Sequence, residues 1–280
     1  MANRGRLTRI VSFGIVLLVA IFTVWPLLWA LKSSFEPANI MYGFPPVLFP
    51  PLDSLTLDNY RALFAQGTSF PSYILNSIII TTATIIIALS LGSTAAYGFA
   101  RLRIPFTRIA LALLTLLLGL PYGVFIIPIF RLWFGLDMIN TYPALVLTYV
   151  GLNMPFVILI LYAGFLKFSH EIEESARLDG ASHFQVFSRI ALPAVRADFM
   201  VAGMLVFANV WSDILIVQVL TNTDAMRTLA FGILLVREQQ QSFTYTVLTP
   251  MIVLGVIPIA ILFGVFRNFY KRGAMEGAIQ

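Results

Sequence analysis

Residues 169–196, SHEIEESARLDGASHFQVFSRIALPAVR, form a charged and amphipathic segment between two long apolar runs. The flanking runs, residues 141–165 and 199–220, contain one charged residue between them, Asp213. Charged side chains are costly to place in lipid, whereas long uncharged runs are stable there. The pattern predicts a membrane protein that holds one segment of soluble character outside the bilayer.

The composition supports this class. Of the 280 residues, 59% are hydrophobic and 11% are charged, which leaves too little polar surface for a water-soluble globule of this length. Cysteine is absent and the histidines are only two, His170 and His183, so a metal centre is not expected. The basic residues are scattered among apolar runs and form no patch, which argues against nucleic-acid binding.

Six apolar runs are long enough to cross a hydrocarbon core about 30 Å thick, which takes roughly 20 helical residues. Helices pair all their backbone groups internally, and the runs are too long for the strands of a membrane barrel. We therefore predict an all-α protein with six transmembrane helices in a single domain, residues 1–280, because no linker or repeat is evident. The predicted spans are residues 10–31, 73–96, 109–130, 141–165, 199–220 and 246–266.

The distribution of Lys and Arg predicts the orientation. With the N-terminus in the cytoplasm, thirteen of the eighteen basic residues fall on the cytoplasmic side, and the external ones are Lys32, Arg61, Arg131, Arg227 and Arg237. This bias predicts that both termini are cytoplasmic. A cleaved signal peptide is the alternative for residues 10–31, but its apolar stretch is too long and no small-residue cleavage site follows, so we expect a retained span.

The charged segment carries helix signals of its own. Ser169 is placed to cap a helix whose first turn holds Glu171 and Glu173, carboxylates that suit the positive end of the helix dipole. Gly180 then ends this helix, because glycine adopts the left-handed conformation at little cost. The segment therefore begins with one short helix and a sharp turn.

A second helix is predicted directly afterwards. Ser182 and Gln185 have the spacing of a capping box, and Pro193 is expected to stop the run. The apolar stripe of this helix comprises Phe184, Phe187 and Ile190. Taken alone, the segment has an ordinary explanation, in which Glu173 and Arg177 form a surface pair and the phenylalanines pack on the ends of the spans.

The order of residues in the segment resembles the EAA signature of membrane subunits of ATP-binding-cassette (ABC) importers. That signature has Glu-Ala-Ala, a glycine six residues after the Glu, and Ile-x-Leu-Pro ten residues beyond the glycine. The matching positions are Glu174-Ser175-Ala176, Gly180 and Ile190-Ala191-Leu192-Pro193. Asp179 before the glycine and Ala181-Ser182 after it are similar to the sugar-importer branch, which includes the maltose-system subunit MalG. Ser175 stands where the family has its first Ala.

The resemblance extends over nearly the whole chain. The further matches are Asn59-Tyr60, Asn76-Ser77, residues 95–101 (AAYGFAR), Pro121, Pro128, Gly135-Leu136, Asn140-Thr141-Tyr142 and Pro155-Phe156. Two stretches depart from the family. Trp211-Ser212-Asp213 replaces Trp-Asn followed by an acid, which bears on substrate contacts, and residues 271–277 follow the family's tail only loosely, which bears on partner contacts.

The resemblance implies a type I ABC importer permease fold and a mechanism. In this family the EAA helix lies in a groove of a cytoplasmic ATPase subunit, where its glutamate meets a basic residue. Here Glu174 would be that glutamate and Gly180 the pivot. The side chains that would fill the groove are Ala176, Ala181, Phe184 and Phe187, with Ile190, Leu192 and Pro193 completing the motif. The implied partners are a second homologous permease, two ATPase subunits, an extracytoplasmic solute-binding protein and a sugar-like substrate, in a bacterial or archaeal cell membrane.

The sequence itself contains no ATP-binding or catalytic motif. A Walker A loop needs Gly-Lys-Ser or Gly-Lys-Thr, and none of the lysines, Lys32, Lys167 and Lys271, follows a glycine. Neither a nucleophile elbow nor a His-Glu-x-x-His motif occurs. We therefore expect no enzyme activity and no bound cofactor in this chain, with ATP and Mg²⁺ held by the partner ATPase.

Polar residues inside the spans are candidates for a substrate path, because ionisable groups in lipid usually face a cavity or a partner. Asp213 is the acid that lies well inside a predicted span, and Trp211 beside it suits a sugar, whose CH faces stack on aromatic rings. The candidate path comprises Tyr122, Tyr149, Asn153, Asn209, Trp211, Ser212 and Asp213. Hydrogen bonding between helices is the alternative explanation for these residues.

Two other functions remain open beside the sugar importer. A secondary transporter typically has two related halves and charges for ion coupling; no such repeat is found. An ABC importer for a different solute fits the same motif. Whether the chain pairs with itself or with a second permease is not decided by the sequence.

Overall fold

A computed structural model describes residues 2–45, 47–65, 68–102, 104–238 and 244–276. Over these residues the secondary structure is mostly helical and contains no strand, which confirms the all-α prediction. The first helices are α1 (Ala2–Ser33), α2 (Ala38–Met41), α3 (Asp58–Leu63), α4 (Phe70–Arg101), α5 (Thr107–Leu118), α6 (Ile126–Gly135) and α7 (Tyr142–Lys167). They are followed by α8 (His170–Leu178), α9 (His183–Val186), α10 (Leu192–Ala194), α11 (Arg196–Trp211), α12 (Leu215–Leu220), α13 (Leu229–Glu238) and α14 (Thr244–Glu276).

The chain forms two compact units, each built from two stretches of sequence. The first unit comprises Met1–Pro71 and Gly232–Pro258, and the second comprises Ser72–Phe231 and Ile259–Gln280. All the predicted site residues lie in the second unit. The single domain remains a prediction.

Among the described residues, four helical segments are long and apolar enough to cross a membrane: Val11–Ser33, Phe70–Arg101, Tyr142–Lys167 and Tyr245–Val265. Two bent helix pairs raise the number of candidate spans in the described residues to six if each pair is one span. Six candidate spans match the predicted number, but the third and fifth predicted spans are not continuous helices.

The third predicted span, residues 109–130, is not one helix. It divides into α5 and α6, and the two axes of this bent pair differ by 103°. The break falls between Gly119 and Pro121, and the 3₁₀ turn Tyr122–Phe125 fills the corner. Proline lacks a backbone N–H and disfavours the helical conformation of the residue before it, here Leu120.

The fifth predicted span, residues 199–220, is also interrupted. Helix α11 ends at Trp211 and α12 begins at Leu215. A second bend, of 77°, separates the helical stretch His183–Ala194 from α11. The prediction of a continuous fifth span is therefore wrong.

The core of the second unit lies where α4, α7 and α11 pack together. On α4, Gly92 is buried so closely against α7 that a β-carbon built there would lie 2.4 Å from Cγ1 of Val157. Real β-carbons essentially never approach another atom that closely. The missing side chain of Gly92 is what lets the two helices cross at this distance.

In the first unit, the family-matched residues Asn59 and Tyr60 hold α3 against the chain that follows α1. Nδ2 of Asn59 donates to the carbonyl oxygens of Ser34, at 3.1 Å, and Glu36, at 2.8 Å. The hydroxyls of Ser34 and Tyr60 are 2.8 Å apart. The two amide bonds give partners to backbone carbonyls that follow the end of α1.

In the second unit, Asn76 joins the start of α4 to the loop between α12 and α13. Nδ2 of Asn76 donates to the carbonyl oxygens of Ala225 (2.8 Å) and Arg227 (2.9 Å), and its Oδ1 accepts from the Tyr142 hydroxyl at 2.5 Å. Tyr142 is the first residue of α7. One amide therefore ties two helix starts to one loop.

Asn140 holds the same loop from the other side. Its backbone is left-handed, with φ of 65°, and its N–H donates to the Leu220 carbonyl at 2.8 Å. Its Oδ1 accepts from the N–H groups of Asn222 (3.1 Å) and Thr223 (3.2 Å) and from the Thr223 hydroxyl (3.0 Å). We call the contacts of Asn76 and Asn140 with residues 221–228 the loop clip.

Candidate functional site

Residues 169–196, the hairpin, begin as the sequence predicts. The hydroxyl of Ser169 accepts from the Glu171 N–H at 3.2 Å, and α8 follows with Glu171 and Glu173 in its first turn. The helix ends at Leu178, and Gly180 is left-handed with φ of +90°. The predicted cap and the predicted glycine turn are both confirmed.

The second half of the hairpin also has its predicted start. Ser182 and Gln185 form a capping box, in which the Ser182 N–H donates to Oε1 of Gln185 at 2.8 Å and the Gln185 N–H donates to the Ser182 hydroxyl at 3.3 Å. The helical stretch ends at Ala194, one residue after Pro193, so the predicted end is confirmed. A wide π-helical turn, Phe187–Ala191, leads into α10, and the bend comes at Val195. Pro193 lacks the backbone N–H that would continue the helix, and the helical stretch stops within one residue of it.

The predicted phenylalanine stripe is divided between two environments. Phe184 is 74% exposed, whereas Phe187 is half-buried, with its ring centroid 5.1 Å from that of Tyr97 and 6.4 Å from that of Phe165. Ile190 is half-buried as well. Phe184 is the member of the stripe left facing outward.

A shallow depression of about 330 Å³ lies on the hairpin beside the glycine turn. It is lined by Ala176, Asp179, Gly180, Ala181, Gln185, Arg189 and Ile190. Most of these belong to the predicted coupling motif. Of the remaining motif residues, Leu192 is half-buried and Pro193 is exposed.

Glu174 lies on the outward face of α8, with its side chain 65% exposed. Its Oε1 is 3.2 Å from Nδ1 of His170, which is also exposed. Ser175, at the position where the family has Ala, bonds back to its own helix through the Glu171 carbonyl at 2.9 Å. The Glu174 carboxylate is therefore open to a partner.

The interpretation of Glu173 and Arg177 as a surface pair is wrong. Glu173 is buried, and its Oε1 accepts from Nε of Arg101, at the end of α4, at 2.7 Å. The Tyr97 hydroxyl donates to its Oε2 at 3.2 Å. Spacing within one helix pointed to Arg177, while the true partner is 72 residues away in sequence. The signal available was the matched stretch of residues 95–101, which contains both Tyr97 and Arg101.

Asp213 lies in the break between α11 and α12. Its Oδ1 accepts from the Tyr149 hydroxyl at 2.8 Å and from the Ile216 N–H at 2.9 Å. The first N–H groups of a helix have no partner within the helix. Asp213 therefore supplies a cap inside the apolar run, and this cap stabilises the interruption that the sequence analysis missed.

A second pair continues this polar network. Nδ2 of Asn209 donates to Oδ1 of Asn153 at 3.0 Å, and Nδ2 of Asn153 donates to the Tyr149 carbonyl at 2.7 Å. Tyr149, Asn153, Asn209 and Asp213, predicted from separate positions, thus form one chain of hydrogen bonds between α7 and α11, which we call the polar network. Tyr149 and Asn153 are buried in it, while Asn209 keeps an exposed face.

The other candidates for the substrate path are placed differently. Tyr122 begins the 3₁₀ turn at the corner between α5 and α6 and is partly exposed. Trp211 is buried, and its ring stacks on Phe207 with centroids 5.3 Å apart. The Ser212 hydroxyl bonds to the Ala208 carbonyl at 2.7 Å. Within the part of the chain that the structure describes, no group of three or more His, Cys, Asp or Glu residues is placed to hold a metal ion.

Long apolar helices, two of them broken, with a polar network at one break define a helical membrane transport component. The chain belongs to the family of binding-protein-dependent transport system inner membrane components, whose model matches residues 88–273. It is thus a multi-pass protein of the cell membrane.

Two curated relatives match along most of their length. The trehalose transport system permease protein SugB of Mycobacterium tuberculosis is 31% identical over 94% of this chain and 94% of its own. The diacetylchitobiose uptake system permease protein NgcG of Streptomyces coelicolor is 29% identical over 100% of this chain and 91% of its own.

The fold also occurs in a solved structure. A chain of a bacterial ABC transporter involved in import of the acidic polysaccharide alginate superposes with a TM-score of 0.83. The match covers 95% of this chain and 97% of the other at 18% identity, so it concerns the fold.

Proposed function

We propose that this chain is the permease subunit of an ABC importer for a sugar, driven by ATP hydrolysis in a separate subunit. The family membership carries the transport role. The sugar class is supported by the relatives, which are named for trehalose and diacetylchitobiose uptake. Both termini are proposed to be cytoplasmic, which puts the hairpin on the side where ATP is available.

The observation that carries the coupling role is the exposed face of the hairpin. Glu174, Phe184 and the depression next to Gly180 leave a carboxylate, an aromatic ring and a concave surface open together. An aromatic anchor beside a charge is typical of interface hot spots. The ATPase docks here, with a basic side chain opposite Glu174 and its bound ATP and Mg²⁺ outside this chain.

The polar network is the proposed place where the solute passes. Discontinuous helices inside a membrane offer backbone and side-chain polar groups to a substrate. Asn209 and Ser212 are exposed beside the break, and Asp213 is half-buried within it. Hydroxyl groups of a sugar would find donors and acceptors there, while Tyr149 and Asn153 hold the helices in place. A second permease completes the path, and the solute-binding protein delivers the sugar.

The experiment is ATP-dependent sugar uptake by the reconstituted complex, with and without the substitution Glu174→Lys. Reversing the charge opposite a basic residue turns attraction into repulsion, so uptake is expected to fall at least about tenfold, as about 1.4 kcal/mol of lost docking would produce. Arg108→Glu, a charge reversal at an exposed residue of α5 outside the hairpin, is the matched control.

The outcome separates the two alternatives. Normal uptake by Glu174→Lys removes the docking role of this carboxylate. Uptake that persists without ATP and collapses with the ion gradient identifies a secondary transporter. ATP-dependent uptake of a non-carbohydrate solute, with sugars inert, retains the importer and corrects its substrate.

A further inference from the structure

A buried ion pair lies where the hairpin meets the spans. The side chains of Arg101 and Glu173 are 7% and 6% exposed, and Nε of Arg101 is 2.7 Å from Oε1 of Glu173. Arg101 also donates to the Phe168 carbonyl, and Tyr97 donates to the second carboxylate oxygen. Taking two charges out of water is costly unless both are fully bonded. Here each charge has more than one partner.

The pair connects three segments that are separate in sequence. Arg101 is the last residue of α4, Phe168 follows directly after α7, and Glu173 lies in the first turn of α8. A single guanidinium group therefore bridges the ends of two spans and the first helix of the hairpin.

An aromatic cluster extends the junction to the second half of the hairpin. The ring of Tyr97 is 5.4 Å from that of Phe165 on α7 and 5.1 Å from that of Phe187 in the π-helical turn. Both halves of the hairpin are therefore attached to the same point of α4. We call Arg101, Glu173, Tyr97, Phe165 and Phe187 the junction.

Two neighbouring carboxylates on α8 have opposite environments. Residues next to each other on a helix point about 100° apart. Glu173 points into the junction, and Glu174 is 65% exposed. Glu173 therefore anchors α8 to the spans, while the neighbouring Glu174 stays open to a partner.

We propose that Arg101 and Glu173 are positioning residues that make the hairpin move as one body with the adjoining ends of α4 and α7. This inference rests on the proposed importer function. When an ATPase displaces the hairpin, the ion pair transmits the displacement to α4. Because α4 packs against Val157 of α7, the displacement then reaches the core of the second unit. Without the ion pair the hairpin still docks on the ATPase, but the movement of the hairpin is no longer transmitted to the spans.

The first test measures sugar transported per ATP hydrolysed by the reconstituted complex. Arg101→Gln and Glu173→Gln are each expected to lower this ratio at least about fivefold, the low end of the range for coupling between sites. Complex assembly and ATP hydrolysis stay within about twofold, because the docking face is unchanged. The exposed residues Arg108 and Glu171 supply matched controls, Arg108→Gln and Glu171→Gln.

The double variant Arg101→Gln/Glu173→Gln adds a test of direct interaction. Removing one partner strands a buried charge, whereas removing both does not. The double variant is therefore expected to lose less than the product of the two single losses. An unchanged transport ratio in the singles, or losses that simply multiply, overturns the proposal.

The second test does not depend on the stability of the single variants. The chain has no cysteine, so Arg101→Cys/Glu173→Cys can be joined specifically in this chain by a short bis-maleimide. If the hairpin and α4 move as one body, the cross-linked double-cysteine variant transports more sugar per ATP than the same variant without the cross-link. If they must separate during the cycle, linking stops what transport remains, and the proposal fails.

The two levels of inference fail in different ways. If the unmodified complex shows no ATP-dependent uptake, the importer function itself is wrong. If it shows uptake while the junction variants keep the normal transport ratio, only the positioning role is lost.

Discussion

Asp213 shows how one side chain can set both the shape and the chemistry of a span. Its Oδ1 accepts hydrogen bonds from the Tyr149 hydroxyl and the Ile216 N–H, so Asp213 joins α7 to the start of α12. A carboxylate in this position stabilises the break, and its proposed second role is to contact the solute beside the exposed side chains of Asn209 and Ser212. The two roles can be separated by substitution.

We predict that Asp213→Ala lowers the stability of the purified complex by about 1–3 kcal/mol, because it removes a helix cap and leaves a buried hydroxyl without its acceptor. Asp213→Asn keeps an acceptor oxygen and is expected to retain most of that stability. If Asp213 also contacts the solute, the Asn variant raises the KM of uptake. Thermal unfolding and uptake kinetics measure the two effects, and Ser212→Ala is the control for the unfolding measurement alone. Equal destabilisation by both substitutions would contradict the cap.

At the scale of secondary structure elements, local signals predicted local features. The Ser169 cap, the Gly180 turn and the Ser182–Gln185 capping box each depend on residues within a few positions, and the sequence displays them directly. The partner of Glu173 depends on where α4 ends, which spacing along α8 cannot reveal. The interruption at Asp213 likewise depends on Tyr149 from another helix. A run of apolar residues predicts the length of a membrane span. It does not show interruptions of the helix that are stabilised by hydrogen bonds to other helices.

The crossing of α4 and α7 gives a prediction for packing. Gly92→Ala places a methyl group 2.4 Å from Cγ1 of Val157, and overpacking of this kind typically costs about 1–3 kcal/mol. Val157→Ala makes room, so the double variant Gly92→Ala/Val157→Ala should be more stable than Gly92→Ala alone. Gly151→Ala, a helical position with open space around it, is the control. The measurement is the unfolding midpoint of the complex for each of these variants. An unchanged midpoint for Gly92→Ala would contradict the close crossing of α4 and α7.

The loop clip gives a prediction that separates backbone strain from hydrogen bonding. Asn140→Gly and Asn140→Ala both remove the acceptor for three donors in residues 222–223. Alanine must also adopt the left-handed backbone, which costs about 1–2 kcal/mol more. The expected order of stability is Asn, then Gly, then Ala, with faster amide exchange in residues 221–228 in both variants. A Gly variant no more stable than the Ala variant would show that the backbone is not strained.

At the scale of the whole molecule, α7 lies between two structures, one at each of its ends. It has 26 residues and is therefore about 39 Å long, at roughly 1.5 Å per residue, enough to cross the membrane. The loop clip lies at its start, and the hairpin follows its end. These two structures should lie on opposite sides of the bilayer.

This topology can be checked by labelling single cysteines in a chain that has none. Leu178→Cys, on the hairpin, is expected to react with a membrane-impermeant maleimide only in inside-out vesicles. Ala225→Cys, in the loop clip, is expected to react only in right-side-out vesicles or intact cells. Both positions are exposed. Labelling of both from the same side would contradict their placement on opposite sides of the bilayer, and the reverse pattern would overturn the orientation derived from the basic residues.

The bare apolar tip of the hairpin has a consequence for how the complex is assembled in the cell. Leu178 and Phe184 are 89% and 74% exposed, and large apolar groups left in water favour aggregation and capture by chaperones. A copy synthesised without the proposed ATPase partner would display this tip continuously. We expect such orphan copies to be degraded faster than assembled ones, so that their surplus is removed and the subunit ratio corrects itself.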